Sequence, residues 1–222
     1  MKRHRRPMRA NLKPPGSCAF CGAAGNLTKE HVLPSWLSSV FPGGPADSHV
    51  DAQIRWQSGA HGVNAKRKPG RSLTRKVRAV YANCNSGWLS RLEHQVKPCL
   101  QALVRGQPLV LDQEVQRLLA AWIAKTSMVA DRVRPELAAM PIEHRQFLMN
   151  RHEPPNGWSV WMARNSGRAW KHAVYHGTGA MHPAVLDPSS GTLARNVQST
   201  SFGIGSLLLI ASAHRWNRCF WK

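Results

Sequence analysis

A Cys-x2-Cys turn limits what this chain can become more than any other feature: Cys18 and Cys21 are separated by Ala19 and Phe20 and followed at once by Gly22. Two thiolates at that spacing grip one side of a tetrahedral ion, so the fold has to bring further ligands to them from elsewhere. A third cysteine, Cys84, lies in Tyr81-Ala82-Asn83-Cys84-Asn85-Ser86-Gly87-Trp88, which opens a helical pattern. With Cys99 and Cys219 the total is five, and an odd number spread along the chain argues against a disulfide framework and for a cytoplasmic setting. Two thiols at this spacing can also be incidental; the ordered set is what carries information.

Charge limits the partner. The 31 Lys and Arg residues stand against 11 Asp and Glu, a net charge of +20, which calls for a polyanion, nucleic acid ahead of an anionic membrane surface. Hydrophobic residues make up 42% of the 222, nine Trp among them, enough for a core and too many for a disordered chain. The longest apolar stretch, Ile204 to Ala213, is about half of what a membrane-spanning helix needs. Met1 to Ala10 is basic and leads into Pro14, Pro15 and Gly16 rather than an apolar run, unlike a secretory signal.

Residues 1–13 carry Lys2, Arg3, Arg5, Arg6, Arg9 and Lys13 without an acid or an apolar period, and read as a basic flexible arm. Short extended segments are expected at Thr28 to Leu33, Val50 to Trp56 and Leu73 to Tyr81, with long loops between residues 42 and 74. Trp88, Leu92, Val96, Leu100 and Leu103 recur at spacings of three and four and predict a helix over Asn83 to Arg105, with Glu93 and Lys97 paired on its other side. Asp112 caps a second helix whose apolar face runs from Val115 to Val129, and a third covers Pro141 to Arg151. Beyond Pro154-Pro155 the pattern turns strand-like at Trp158 to Arg164, Trp170 to His176 and Asn196 to Ala213. The expected organisation is the arm, a metal-binding unit over 14–106, and a helical plus β region over 107–222.

Nine residues after Cys21 stands Glu30-His31-Val32-Leu33-Pro34. In this order, Cys18-x2-Cys21, Glu30-His31 and Cys84-Asn85-Ser86-Gly87-Trp88 resemble the HNH endonuclease superfamily. Leu92-Glu93, Lys97-Pro98, Ala121-Trp122 and Lys125-Thr126 extend the likeness to a group of bacterial and phage HNH-like proteins of mostly unassigned role, over roughly residues 15–130. The resemblance implies a zinc-knuckle ββα-metal unit, which with the helical middle and the strand-like pattern after Pro155 makes the expected fold α+β with a small C-terminal antiparallel sheet. It implies His31 as general base, Glu30 and Asn85 as ligands of Mg²⁺ or Mn²⁺, structural Zn²⁺ on Cys18, Cys21 and Cys84, and cleavage of DNA that leaves a 5′-phosphate. The chemistry agrees. An imidazole with a pKa of about 6.5 can deprotonate water at neutral pH, and carboxylate and carboxamide oxygens are hard ligands. Strand neighbours point to opposite faces, so Glu30 and His31 act together only where the strand ends, as Pro34 indicates. Singly, each has a plainer reading, a surface pair for Glu30 and His31 and a helix cap for Asn85.

Two positions depart from the family's pattern. Tyr81 stands where a further cysteine is expected, leaving the zinc to three thiolates with His94, Cys99, His49 or His61 as the fourth ligand, or leaving it weak or lost. Lys76 stands at the position of the central Asn. Between Ala52 and Leu92 there is no acid, while Arg55, Lys66, Arg67, Lys68, Arg71, Arg75, Lys76, Arg78 and Arg91 supply phosphate-binding charge or a solvated basic loop. Trp36, Trp88 and Trp122 read as core, while Trp158, Trp161 and Trp170 lie where an exposed ring could stack on a base. The leading expectation is a metal-dependent HNH-like endonuclease on DNA, ahead of RNA. The alternatives are a catalytically impaired nucleic-acid-binding zinc protein and a structural or partner-binding component of a phage or defence system.

Overall fold

The computed structural model describes residues 16–41, 48–57, 60–69, 72–166, 172–180 and 194–215. The basic arm, Arg71, Trp170 and Cys219 lie outside the described residues, as do the side chains of 48–57 and 60–69, which include His49, Arg55, His61, Lys66, Arg67 and Lys68.

The chain begins with a two-stranded ribbon, β1 (Gly16–Ser17) against β2 (Ala24–Gly25), that frames the Cys18 to Gly22 turn. The Cys18 N–H donates to Ala23 O at 2.9 Å and the Gly22 N–H to Cys18 O at 3.1 Å. Gly22 sits at φ +77°, where a side chain would be strained, which is why glycine closes the turn. Next come β3 (Leu27–His31), a single helical turn α1 (Leu37–Val40), and a hairpin of β4 (Ser48–Gln57), which contains the expected extended segment Val50 to Trp56, and β5 (Ala60–Pro69), which falls where a long loop is expected. A 3₁₀ turn at Ser72–Thr74 leads into β6 (Lys76–Tyr81), antiparallel to β3.

The helix after β6 is broken rather than continuous. Its first turn, α2 (Ala82–Cys84), passes into a widened π stretch at Asn85–Leu89, where Gly87 leaves helical geometry (φ −90°, ψ −112°), and then into α3 (Ser90–Val104). Of the predicted apolar stripe Leu92, Val96 and Leu100 are buried, while Leu103 is half-buried and its neighbour Val104 takes the last core position. Helix α4 (Gln113–Ala130) starts as expected, with Asp112 Oδ1 accepting from the Val115 N–H at 2.8 Å. From Ala121 on it is buried all round, Lys125, Thr126 and Ser127 included, because it runs through the centre of the core. Helix α5 (Ile142–Arg151) ends at His152 in the left-handed region, φ 56°.

The C-terminal strands β7 (Trp158–Arg164), β8 (His172–Gly179), β9 (Val197–Ile204) and β10 (Leu207–His214) form one antiparallel sheet in the order β7-β10-β9-β8. The protein is thus mixed α and β with a small antiparallel C-terminal sheet, as expected. One buried cluster runs from Phe20 through Trp88 and Trp122 to Phe202 and Leu209. Polar groups also cross it. Asp131, just after α4, is paired with Arg145 of α5 and lies 3.4 Å from His176 of β8, whose other ring nitrogen is 2.8 Å from Thr200 of β9. No helix among the described residues is long and apolar enough to cross a membrane.

The β9–β10 turn pins the sheet to the end of α3. The Ser206 N–H donates to Val104 O at 2.9 Å, and Asn165 closes the turn with its N–H on Ser206 O (2.8 Å) and its Nδ2 on Gly205 O (3.2 Å). Gly205 has φ +56°, and a methyl group there would come within 2.3 Å of Val104 O and 2.7 Å of the Phe41 ring. Gly205→Ala is therefore expected to lower stability by about 2–4 kcal/mol in urea melts.

Candidate functional site

The turn between β1 and β2 and the first turn of the helix after β6 meet at three sulfurs. One ligand atom from each of Cys18, Cys21 and Cys84 lies within 4.8 Å of the others, close enough for a single ion. Backbone groups prepare the first of them. Burial opposes the Cys18 thiolate, but hydrogen bonds from the backbone of Tyr81, Cys21 and Phe20 outweigh it and lower the pKa. The Tyr81 N–H reaches Cys18 Sγ at 3.3 Å. Cys84 behaves oppositely: burial and its two sulfur neighbours push its thiol up to about 12, so without a cation it keeps its proton. An ion bound there has to displace that proton, and affinity falls as pH falls.

Among the described residues no fourth His, Cys, Asp or Glu joins the three sulfurs, so neither His94 nor Cys99 does. Tyr81 does not substitute by position. Its backbone serves Cys18, and its ring lies over β2, where a methyl group on Gly25 would sit 3.5 Å from it. The site is thus a three-cysteine group backed by Phe20 and Trp88, whose rings meet edge-on at 4.9 Å.

Strand β3 and the same helix build a cavity of about 450 Å³, lined by Thr28, Lys29, Glu30, His31 and Ser35 on one side and by Ala82, Asn85, Ser86, Ser90 and Glu93 on the other. Glu30, His31 and Asn85 are therefore brought together. A bulge makes this possible: Thr28 pairs with Val80 but Lys29 with Arg78, so Ala79 is extra, and its carbonyl accepts from the Ala19 N–H at 2.8 Å. The strand then ends at His31, with the next N–H, of Val32, on Arg75 O. Asn85 is held by the strand: its Nδ2 donates to Thr28 Oγ1 at 2.9 Å, and that hydroxyl donates to Val80 O at 3.0 Å. Oδ1 is the atom left for the cavity.

Glu30 is buried, and its Oε1 accepts from Lys125 Nζ of α4 at 2.8 Å. Lys125 was legible as a residue but not as this partner, because nothing in a helical period marks a lysine on the buried face. Glu93 was read as one half of a surface pair with Lys97; instead it lines the cavity. Burial raises its pKa, with Glu30 adding to the shift and Lys125 and Lys97 opposing it. It makes no hydrogen bond or ion pair within the described residues. His31 is depressed below its usual 6.5, first by burial and then by Lys76, its cross-strand partner, with Glu30 pulling the other way and Lys125 adding to the depression. Lys76 thus acts on His31 by charge.

Of the basic residues, Lys76, Arg78 and Arg91 are exposed, and Arg78 donates to Leu27 O at 2.6 Å across the β3–β6 pair. Removing one partner of a buried ion pair strands the other charge. Lys125→Ala should cost about 3–5 kcal/mol of stability in denaturant melts, with a large part regained in the Lys125→Ala, Glu30→Gln double variant. Comparison of the chain with protein-family models, with curated proteins and with solved structures returned no match, so the cavity's chemistry rests on its own groups.

Proposed function

We propose that the chain is a metal-dependent endonuclease of the HNH kind, acting on DNA. The observation that carries the reading is that His31, Asn85 and Glu93, a carboxylate with no hydrogen bond or ion pair among the described residues, line one cavity. In this reading a zinc ion on Cys18, Cys21 and Cys84 fixes the β1–β2 turn and the helix start relative to each other. His31 is neutral at neutral pH and takes the proton from the attacking water. Asn85 Oδ1 and Glu93 are the hard oxygens that would hold Mg²⁺ or Mn²⁺, which usually takes few protein ligands beside phosphate and water. Such an ion supplies charge against the scissile phosphate. The raised pKa of Glu93 fits this role, because a half-buried carboxylate without a partner is stabilised by an arriving cation. Glu30, engaged by Lys125, shapes the cavity wall. Lys29, Lys76, Arg78 and Arg91 supply phosphate contacts at the rim.

A second reading, a nucleic-acid-binding zinc protein without cleavage, is favoured by one observation: the carboxylate beside His31 is neutralised by Lys125. Nicking of supercoiled plasmid with Mg²⁺ or Mn²⁺ separates the two. Cleavage is expected, reduced about 10²–10⁴-fold by His31→Ala; salt-dependent binding with no nicking under either metal would leave the second reading alone. A base must be unprotonated to act, so the rate should fall as pH drops through a value below 6.5 and stay level near neutrality.

Metal content tests the thiolate site. Purified protein should carry zinc that a competing chelator removes readily, and Cys21→Ala should carry none. Tyr81→Cys, which offers a fourth thiolate, should slow that removal and raise the melting temperature. Zinc content unaffected by Cys21→Ala would show that the three sulfurs do not share an ion.

A further inference from the structure

The oxygen and nitrogen of a carboxamide have nearly the same shape, so packing does not decide which of them Asn85 turns toward the cavity; the groups around the amide do. Strand β3 meets the nitrogen with acceptors. Asn85 Nδ2 lies 2.9 Å from Thr28 Oγ1 and 3.5 Å from Lys29 O. A carbonyl oxygen only accepts, and the Thr28 hydroxyl has a single proton, which goes to Val80 O at 3.0 Å. Turned over, the amide would set its oxygen against Lys29 O and against a hydroxyl that must give up Val80 O to meet it.

Thr28 holds this place because of the bulge. It is the last residue of β3 before the register shifts, opposite Val80, while Lys29 is already opposite Arg78. Asn85 opens the π stretch directly after Cys84, so the thiol-bearing turn places its backbone and the strand places its side chain. The orientation decides what that wall of the cavity can bind. With Oδ1 inward, Asn85 adds an acceptor to the carboxylate of Glu93, and two hard oxygens suit Mg²⁺ or Mn²⁺. With Nδ2 inward the same residue would donate, and the wall would suit the oxygen of an anion instead.

We infer that Thr28 is the positioning residue for Asn85: its hydroxyl fixes the carboxamide so that the cavity meets Oδ1 and not the N–H groups. The use of that oxygen by a cation rests on the proposed function, but the orientation is read without cleavage. In nitrogen–proton correlation spectra of the full chain without added divalent metal, the Asn85 side-chain amide signals are identified by their loss in Asn85→Asp. Thr28→Val should shift them and speed their exchange with solvent, Thr28→Ala should do the same, and Thr28→Ser, which keeps the hydroxyl, should leave them near their wild-type positions. Asn85 signals that ignore the loss of the hydroxyl would overturn the inference. Mn²⁺ titration followed by water-proton relaxation reads the consequence: Thr28→Val should weaken binding about tenfold, and Thr28→Ser should bind as wild type does. A carboxylate has an oxygen at both positions and nothing to aim, so in the Asn85→Asp background Thr28→Val should change Mn²⁺ affinity by no more than about twofold. The same tenfold loss in both backgrounds would make Thr28 a merely structural residue and overturn the inference. Wild-type nicking and Mn²⁺ affinity retained in full by Thr28→Val would overturn it too while leaving the endonuclease reading intact. Conversely, a wild type that neither nicks plasmid nor binds Mn²⁺, with Asn85 signals that still depend on the hydroxyl, removes the endonuclease reading and supports the fixed amide.

Discussion

The ion pair between Glu30 and Lys125 joins parts of the chain that local structure alone would leave independent. Its partners are 95 residues apart, and each is almost wholly shielded from water. Two charges withdrawn from solvent bear a desolvation cost that only close, well-aligned contact offsets, so the arrangement that satisfies them is narrowly defined. That arrangement sets the end of β3, and with it His31, against the middle of α4, the helix around which the core is assembled. The cavity wall on the β3 side is therefore as fixed as the core itself. The opposite wall, from Asn85 to Glu93, is tied to it through the Thr28 hydroxyl and through the three sulfurs behind.

The electrostatics of the cavity follow from that one contact. Lys125 satisfies Glu30 and lies near enough to Glu93 and His31 to bias both, favouring the ionised carboxylate and disfavouring the imidazolium. Burial overrides the first bias and reinforces the second. The result is a site whose imidazole is poised as an acceptor of protons and whose second carboxyl group takes its charge only at a cost.

Periodicity made most of the helices readable. The stripe from Trp88 to Leu103 and the Asp112 cap placed α3 and α4, and the alternation from Trp158 onward placed the sheet, because each element has one face in the core and its sequence records that. The cysteines and the Glu30-His31 and Cys84-Asn85 pairs are residues that the fold does bring together, since chemistry at fixed spacing is local information. What escaped was whatever depends on a distant partner. Glu93 looks like a surface residue on its own helix and is half-buried only because α4 and β3 close over it. Lys125 sits among apolar neighbours with no local sign of Glu30. Strand β5 was hidden by charges that read as loop, although its partner β4 was legible at Val50 to Trp56, and the break at Gly87 was hidden by an apolar stripe that reads straight through it.

That break has a consequence for how the molecule comes apart. A continuous helix from Ala82 to Val104 would transmit any fraying at Cys84 along one hydrogen-bond ladder, because each turn is held by the next. Here the ladder is kinked at Gly87, so the three residues of α2 and the fifteen of α3 are expected to open separately. The thiol-bearing turn can open and close while α3 stays docked on the core through Leu92, Val96 and Leu100. Amide exchange would then show two neighbouring segments of one apparent helix living on separate clocks, the faster one beside the sulfurs.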